Sequence, residues 1–234
     1  MAIYTMADLH LSLGADKSME VFHGWENYTE RIRENWQSTV SPDDTVVVGG
    51  DISWGMNFLQ SEPDFEFLNS LNGKKILLKG NHDYWWETKT KIERFFAERG
   101  FDTLNILFNN HYAYGRFGIC GTRGWINEKK DETPDKKVLL REAGRLEASV
   151  KSALSAGLEP IVFLHYPPIY YSERNDEILA VLHEYNIKKC FYGHIHGVGH
   201  RGALNGIAEG INFKLVSADW LRFKPLDITK DFES

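Results

Sequence analysis

Five short motifs gather side chains that could hold a cation and use it: Asp8-Leu9-His10, Gly50-Asp51, Gly80-Asn81-His82-Asp83, His165, and Gly193-His194-Ile195-His196. Carboxylate, imidazole and amide oxygen are N/O donors suited to Mn, Fe, Zn or related divalent ions. No cysteine lies among them, which argues against a structural thiolate zinc site. In Asp-x-His and His-x-His, two side chains fall on the same side of an extended segment. Each pair can therefore serve one ion or two neighbouring ions. Five of the nine histidines lie in these motifs, and together they read as metal or catalytic groups. His23, His111 and His183 read as surface or structural residues. His200, just beyond the last motif, is a candidate substrate contact.

Such side chains converge only if the chain carries them to one place. Each motif follows directly on a short apolar run, at 3–7, 45–48, 75–78, 161–164 and 189–192. Near-continuous apolar runs are expected of strands buried on both faces. In open α/β sheets, ligands sit just outside the carboxyl ends of the strands. Neighbouring strands lie ~4.8 Å apart, so several strand ends can share a cation. Glycines before Asp51, Asn81 and His194 allow sharp turns and close backbone approach there.

Helices are expected where apolar residues recur at helical spacing. Trp25, Tyr28, Ile32 and Trp36 make one such face, and Leu139, Ala143, Leu146, Val150 and Leu154 another, between Pro134 and Gly157. Residues 87–99 and 176–184 read as shorter helices, with a further one within 62–71. Segments 104–120, 203–208, 211–217 and 221–228 are mixed and closely spaced, as in antiparallel pairs, so two sheets are expected. Residues 122–135 are polar and aperiodic, which predicts a long functional loop.

The 234 residues fit one large domain spanning 1–234. Hydrophobic residues are 42% and charged residues 26%, which excludes a disordered or collagenous chain. With 27 Lys+Arg against 33 Asp+Glu the net charge is −6, unfavourable for binding long nucleic acid. The two cysteines, Cys120 and Cys190, cannot build a disulfide framework and suit a reducing compartment. No apolar run approaches the ~18–20 residues of a membrane span, and the first residues lack a signal-peptide pattern. A cytoplasmic location, with no membrane partner, is the expectation.

The motif set from Asp8 to His196 resembles the calcineurin-like metallophosphoesterase superfamily. The resemblance implies an α/β fold: a four-layer αββα sandwich of two mixed sheets flanked by helices, with a two-metal site at the strand C-terminal ends. It implies one ion on Asp8, His10 and His196, and another on Asn81, His165 and His194, with Asp51 bridging. It makes His82 the acid near the leaving group, oriented by Asp83. Ala7 stands where that superfamily often has serine; the position is not a ligand.

The expected chemistry agrees. Two divalent ions (Mn, Fe or Zn) bring about +4 charge, two aspartates return about −2, and a bridging hydroxide leaves roughly +1, which attracts an anionic phosphate ester. That hydroxide would attack in line, with no covalent phospho-enzyme. The expectation is a phosphoesterase acting on a small phosphate ester. The alternatives are a nuclease or cyclic-nucleotide phosphodiesterase, and a metal-free scaffold on the same fold; the scaffold would lack ligands, whereas every expected position is filled. Substrate choice would fall to loops 11–24, 52–62, 84–88 and 122–135. Trp54, Trp85 and Trp86 are candidates for an apolar wall. In the long loop, Trp125 is a candidate contact and Arg123 a candidate phosphate clamp.

Overall fold

The structure, a computed structural model, describes residues 1–125 and 136–232. Its strands are β1 (Ile3–Met6), β2 (Thr45–Val48), β3 (Lys74–Leu77), β4 (Leu104–Ile106), β5 (Tyr112–Tyr114), β6 (Phe117–Thr122), β7 (Glu159–Leu164), β8 (Ile169–Tyr170), β9 (Glu173–Arg174), β10 (Lys189–Tyr192), β11 (Gly206–Ala208), β12 (Ile211–Leu215) and β13 (Leu226–Asp227). Its α-helices are α1 (Tyr28–Thr39), α2 (Phe58–Ser70), α3 (Lys89–Arg99), α4 (Lys136–Ser155) and α5 (Asp176–Glu184).

Two large sheets form, in the orders β13-β1-β2-β3-β4 and β11-β12-β10-β7-β6-β5. A separate hairpin pairs β8 with β9. The two-residue period of a strand explains how the sheets stack. On the first sheet, Tyr4, Met6, Val46 and Val48 point one way, into a core with α1, α2 and α3. Ile3, Ala7 and Val47 point the other way, into a core shared with Phe163, Ile161 and Phe191 of the second sheet. The opposite face of the second sheet, with Val162, Leu164, Cys190 and Tyr192, packs on Leu146, Val150, Leu179 and Leu182 of α4 and α5. Three apolar cores between four layers give the αββα sandwich. Strands buried on both faces carry continuous apolar runs, and this is why their sequences lack alternation.

The mixed segments follow the antiparallel expectation only in part. β5 with β6, β11 with β12, and β1 with β13 are antiparallel. β4, β6 and β12 instead run parallel to β3, β7 and β10. β6 and β12 thus pair antiparallel with the adjacent segment on one side and parallel with a distant strand on the other, while β4, at a sheet edge, pairs parallel with β3. The first helix begins only at Tyr28, because Asn27 adopts a left-handed φ of 52°; Trp25 lies before it, buried. The helix expected within 62–71 starts earlier, where the Asn57 side chain accepts from the Gln60 amide and caps it. Most of the expected loop 122–135 lies outside the described residues. Both cysteines are free and buried. Among the described residues no helix is long and apolar enough to cross a membrane.

Candidate metal centre

All five motifs meet where the strands end. The β1–β2 ladder continues past both strands: the amides of Asp8, His10 and Leu11 donate to the carbonyls of Gly50, Asp51 and Ile52 at 2.8, 2.9 and 2.9 Å. This sets the first two motifs in register. Within the second sheet the Gly193 amide donates to the His165 carbonyl, and that sheet is tied to the first by the His194 amide, which donates to the Asp8 carboxylate at 2.9 Å. His165 and Tyr166 donate their own amides to the Arg123 carbonyl.

Four of the candidate ligands sit in the left-handed region, with φ of 61° at Asp8, 45° at His10, 50° at Asp51 and 72° at His194. Such conformations are costly for residues with a Cβ and persist only where surrounding contacts enforce them. Gly80 has a different constraint: a Cβ there would come within 2.1 Å of the Asp51 amide nitrogen and Oδ1. Only glycine allows these two strand ends to approach so closely.

Two groups of donors result. Asp8, His10 and His196 offer ligand atoms within 4.8 Å of one another, and so do Asp51, His165 and His194. Asn81 joins the second group, its Oδ1 lying 2.6 Å from His165 Nε2 and 3.0 Å from His194 Nδ1. Asp51 lies between the groups, with Oδ2 at 3.7 Å from His10 Nε2 and 3.5 Å from His165 Nε2.

The electrostatics call for cations. Asp8, Asp51, His10 and His165 are buried. Burial, with Asp83 and Asp8 nearby, holds the Asp51 carboxyl well above the usual range. Burial drives His10 well down and His165 down to about 3. His196 is held up at about 10 against its burial by Asp8 and Asp219. Asp8 is held low against its burial, chiefly by His196. Around Asp51 the buried carboxylate has the neutral imidazoles of His10 and His165 beside it and lacks the counter-charge such burial normally demands. His10 Nδ1 is buried without a partner. His10 Nε2 and His196 Nε2 lie 3.3 Å apart, about the spacing of two nitrogens ~2.0–2.1 Å from one tetrahedral cation. The residues present fit a pair of divalent ions.

The surrounding residues depart from expectation in several places. Asp83 does not orient His82. Its carboxylate accepts from the amides of Gly80, Ile52 and Ser53 and from Trp85 Nε1, at 2.7–3.2 Å. It clamps the turns that carry Asp51 and Asn81. His82 Nδ1 instead lies 3.3 Å from the Tyr84 hydroxyl.

Arg123 forms no open clamp. Glu142 of α4 is fully buried and demands cations; Arg145 Nη1 stands at 2.6 Å from it and Arg123 Nη2 at 3.7 Å. Trp85 is buried in the core against Phe65, with no face left for a substrate, and Trp86 packs on it. Trp54 does reach the centre, stacked on His10 at 5.0 Å and tilted on His82 at 4.3 Å. Trp125 is half-buried beneath the Arg123 guanidinium and meets the ligand groups only through Tyr166, its ring 5.6 Å away. His200 Nε2 lies 3.3 Å from Asp219.

Other residues near the ligands carry no motif, among them Tyr166, whose ring lies 4.2 Å from that of His194. Tyr84 abuts His82. Trp25 sets its ring edge-on to His10 and His196. Asp219 contacts His196 directly. The strand-end rule could have flagged Asp219, which lies just beyond β12; neither glycine nor histidine marks it in the sequence.

Two mixed sheets in an αββα sandwich, with two acid–imidazole groups at their carboxyl ends, support a metal-dependent phosphoesterase. The chain belongs to the calcineurin-like phosphoesterase family, whose model matches residues 1–198. Solved structures share the fold over nearly the whole chain. A protein of unknown function from Aquifex aeolicus is 14% identical with a TM-score of 0.55, covering 99% of this chain and 98% of that one. Phosphopantetheinyl hydrolase from Mycobacterium tuberculosis is 14% identical with a TM-score of 0.50, covering 94% and 92%. No curated protein matches the chain in sequence.

Proposed function

We propose that this protein hydrolyses a small phosphate ester using two divalent cations, one on Asp8, His10 and His196 and one on Asn81, His165 and His194, with Asp51 shared. The observation that carries the reading is the position of the Asp51 carboxylate, within 3.7 Å of an imidazole nitrogen from each group. Cations held there would polarise the phosphoryl oxygens and make nearby water acidic enough to attack near neutral pH.

The chain's own groups do the rest. Asp8 and Asp51 offset part of the cationic charge, so the centre keeps a net attraction for an anionic ester. His82, half-buried and beside Trp54, stands at the rim. A doubly protonated His82, its Nδ1–H facing the Tyr84 hydroxyl oxygen at 3.3 Å, can deliver the Nε2 proton to the departing alkoxide and become neutral imidazole. Trp54 shields one side of His10 and His82 from water.

The test is hydrolysis of p-nitrophenyl phosphate and of bis-(p-nitrophenyl) phosphate by protein reconstituted with Mn²⁺, with Asp51→Asn as control. Turnover of the monoester supports the phosphatase reading. Preference for the diester moves the assignment to the phosphodiesterase or nuclease class. Hydrolysis of neither by metal-loaded protein refutes the enzyme reading and favours a scaffold. A monoester made chiral at phosphorus with oxygen isotopes inverts its configuration on transfer if attack is direct; retention would require two displacements through a covalent intermediate.

A further inference from the structure

An imidazole binds a cation better when its other nitrogen is tied to an acceptor, which fixes both ring orientation and tautomer. For His165 that acceptor is a main-chain atom: Nδ1 donates to the Gly49 carbonyl at 3.1 Å, leaving Nε2 for the centre. For His196 it is a side chain. His196 Nδ1 lies 2.9 Å from Asp219 Oδ1, and its Nε2 faces His10 Nε2 at 3.3 Å and Asp8 Oδ1 at 3.7 Å.

The placement of Asp219 is built into the fold. Residues 216–218 thread between the two sheets at the point where β1 ends. The Val216 amide donates to the Tyr192 carbonyl of the second sheet. The Ala7 amide of the first sheet donates to the Val216 carbonyl, and the Ala218 amide donates back to the Ala7 carbonyl. Asp219 therefore leaves a backbone held by both sheets, one residue away from the Asp8 strand end in the ladder. Its carboxylate is nearly covered, 11% exposed. Oδ2 accepts from the Gly197 amide at 2.9 Å, fixing the turn directly after His196, and lies 3.3 Å from His200 Nε2. Oδ1 also accepts from the Trp220 amide at 3.0 Å, which holds the carboxylate plane.

We propose that Asp219 is a positioning residue for the metal centre: it keeps the proton of His196 on Nδ1, aims Nε2 at the space shared with Asp8 and His10, and so governs retention of that one cation. The residue lies beyond the segment matched to the family, which ends at 198. The inference rests on the two-cation reading above. It concerns one half of the centre only, since Asp219 touches none of Asn81, His165 or His194.

The test is equilibrium dialysis of metal-free protein against graded free Mn²⁺, with bound metal counted per chain, for wild type, Asp219→Asn and Asp219→Ala. Melting temperature of each metal-free protein is read alongside. The expected result is two ions on wild type and, for Asp219→Ala, one ion held as before and the other about 10–100-fold more weakly, the usual cost of losing such an outer partner. Asp219→Asn keeps an acceptor oxygen and should recover part of that loss.

Unchanged binding of both ions by Asp219→Ala overturns the proposal while leaving the two-cation reading intact. Equal weakening at both ions, with a lowered melting temperature of the metal-free protein, also overturns it, because that pattern marks a general folding defect. Fewer than two ions on wild type overturns both readings together.

Discussion

The two halves of the centre use the same donor chemistry but hold it differently. In the His165 half, the imidazole is fully buried and its far nitrogen bonds to a backbone carbonyl. In the His196 half, the imidazole is more open, 28% exposed at the side chain, and bonds to a carboxylate. A carbonyl in a strand end cannot be mutated away and carries no full charge. A carboxylate can be changed, and its charge raises the basicity of the imidazole it holds. One half is therefore fixed by the fold itself, and the other is adjustable through a single side chain.

The harshest way to break this contrast is to remove what the halves share. Asp51→Asn is expected to lower phosphate-ester hydrolysis by more than about 100-fold, beyond what loss of an outer partner costs, and to weaken both ions in the same dialysis. Selective loss of a single ion would place Asp51 in one half only.

The leaving-group side comes next. His82→Ala should cost roughly 10²–10⁴-fold in kcat on alkyl phosphates, the range for a general acid. It should cost little on p-nitrophenyl phosphate, whose leaving group needs no proton. Equal losses on both substrates would remove His82 from the acid role.

Chelation should destabilise the protein by mass action, by about 2.7 kcal/mol at a free metal concentration 100 times the dissociation constant. Thermal melting with and without EDTA reads this directly. Wild-type melting unaffected by EDTA would contradict a resident cation pair.

The finest discrimination is by pH in the chelated protein. His165 is pushed down to about 3 by burial, so the unfolded chain takes up its proton first. Stability should fall as pH drops from about 6.5 toward 3, and His165→Ala should flatten that decline. His196, held up at about 10 against burial by Asp8 and Asp219, has the opposite sign. Its contribution is complete below about 6.5 and is lost as pH rises toward 10; His196→Ala should flatten that alkaline decline. Matching slopes in the two variants would erase the electrostatic difference between the halves.

The ligand set was legible because its signals are local. A run of buried apolar residues, a glycine and then an aspartate or histidine can be read within a few positions, and a parallel sheet brings such ends together. The strands at 45–48 and 189–192 form with those bounds. The roles of Asp83, Arg123 and Trp85 were not legible, although their positions beside the motifs were. Asp83 is drawn to three amides of converging turns, Arg123 to a buried glutamate on α4, and Trp85 to the core around Phe65. Each outcome depends on a partner that sequence spacing does not specify.

Composition and short-range periodicity thus determined the donor types, their placement at strand ends and the presence of two sheets, while the sandwich of those sheets was implied by the family resemblance of the motif set. Only the tertiary structure decided which acceptor completes each imidazole and which strands lie side by side. Those choices are made between residues as distant in sequence as Tyr4 and Asp227, where packing and the need to pair buried polar atoms select the partner.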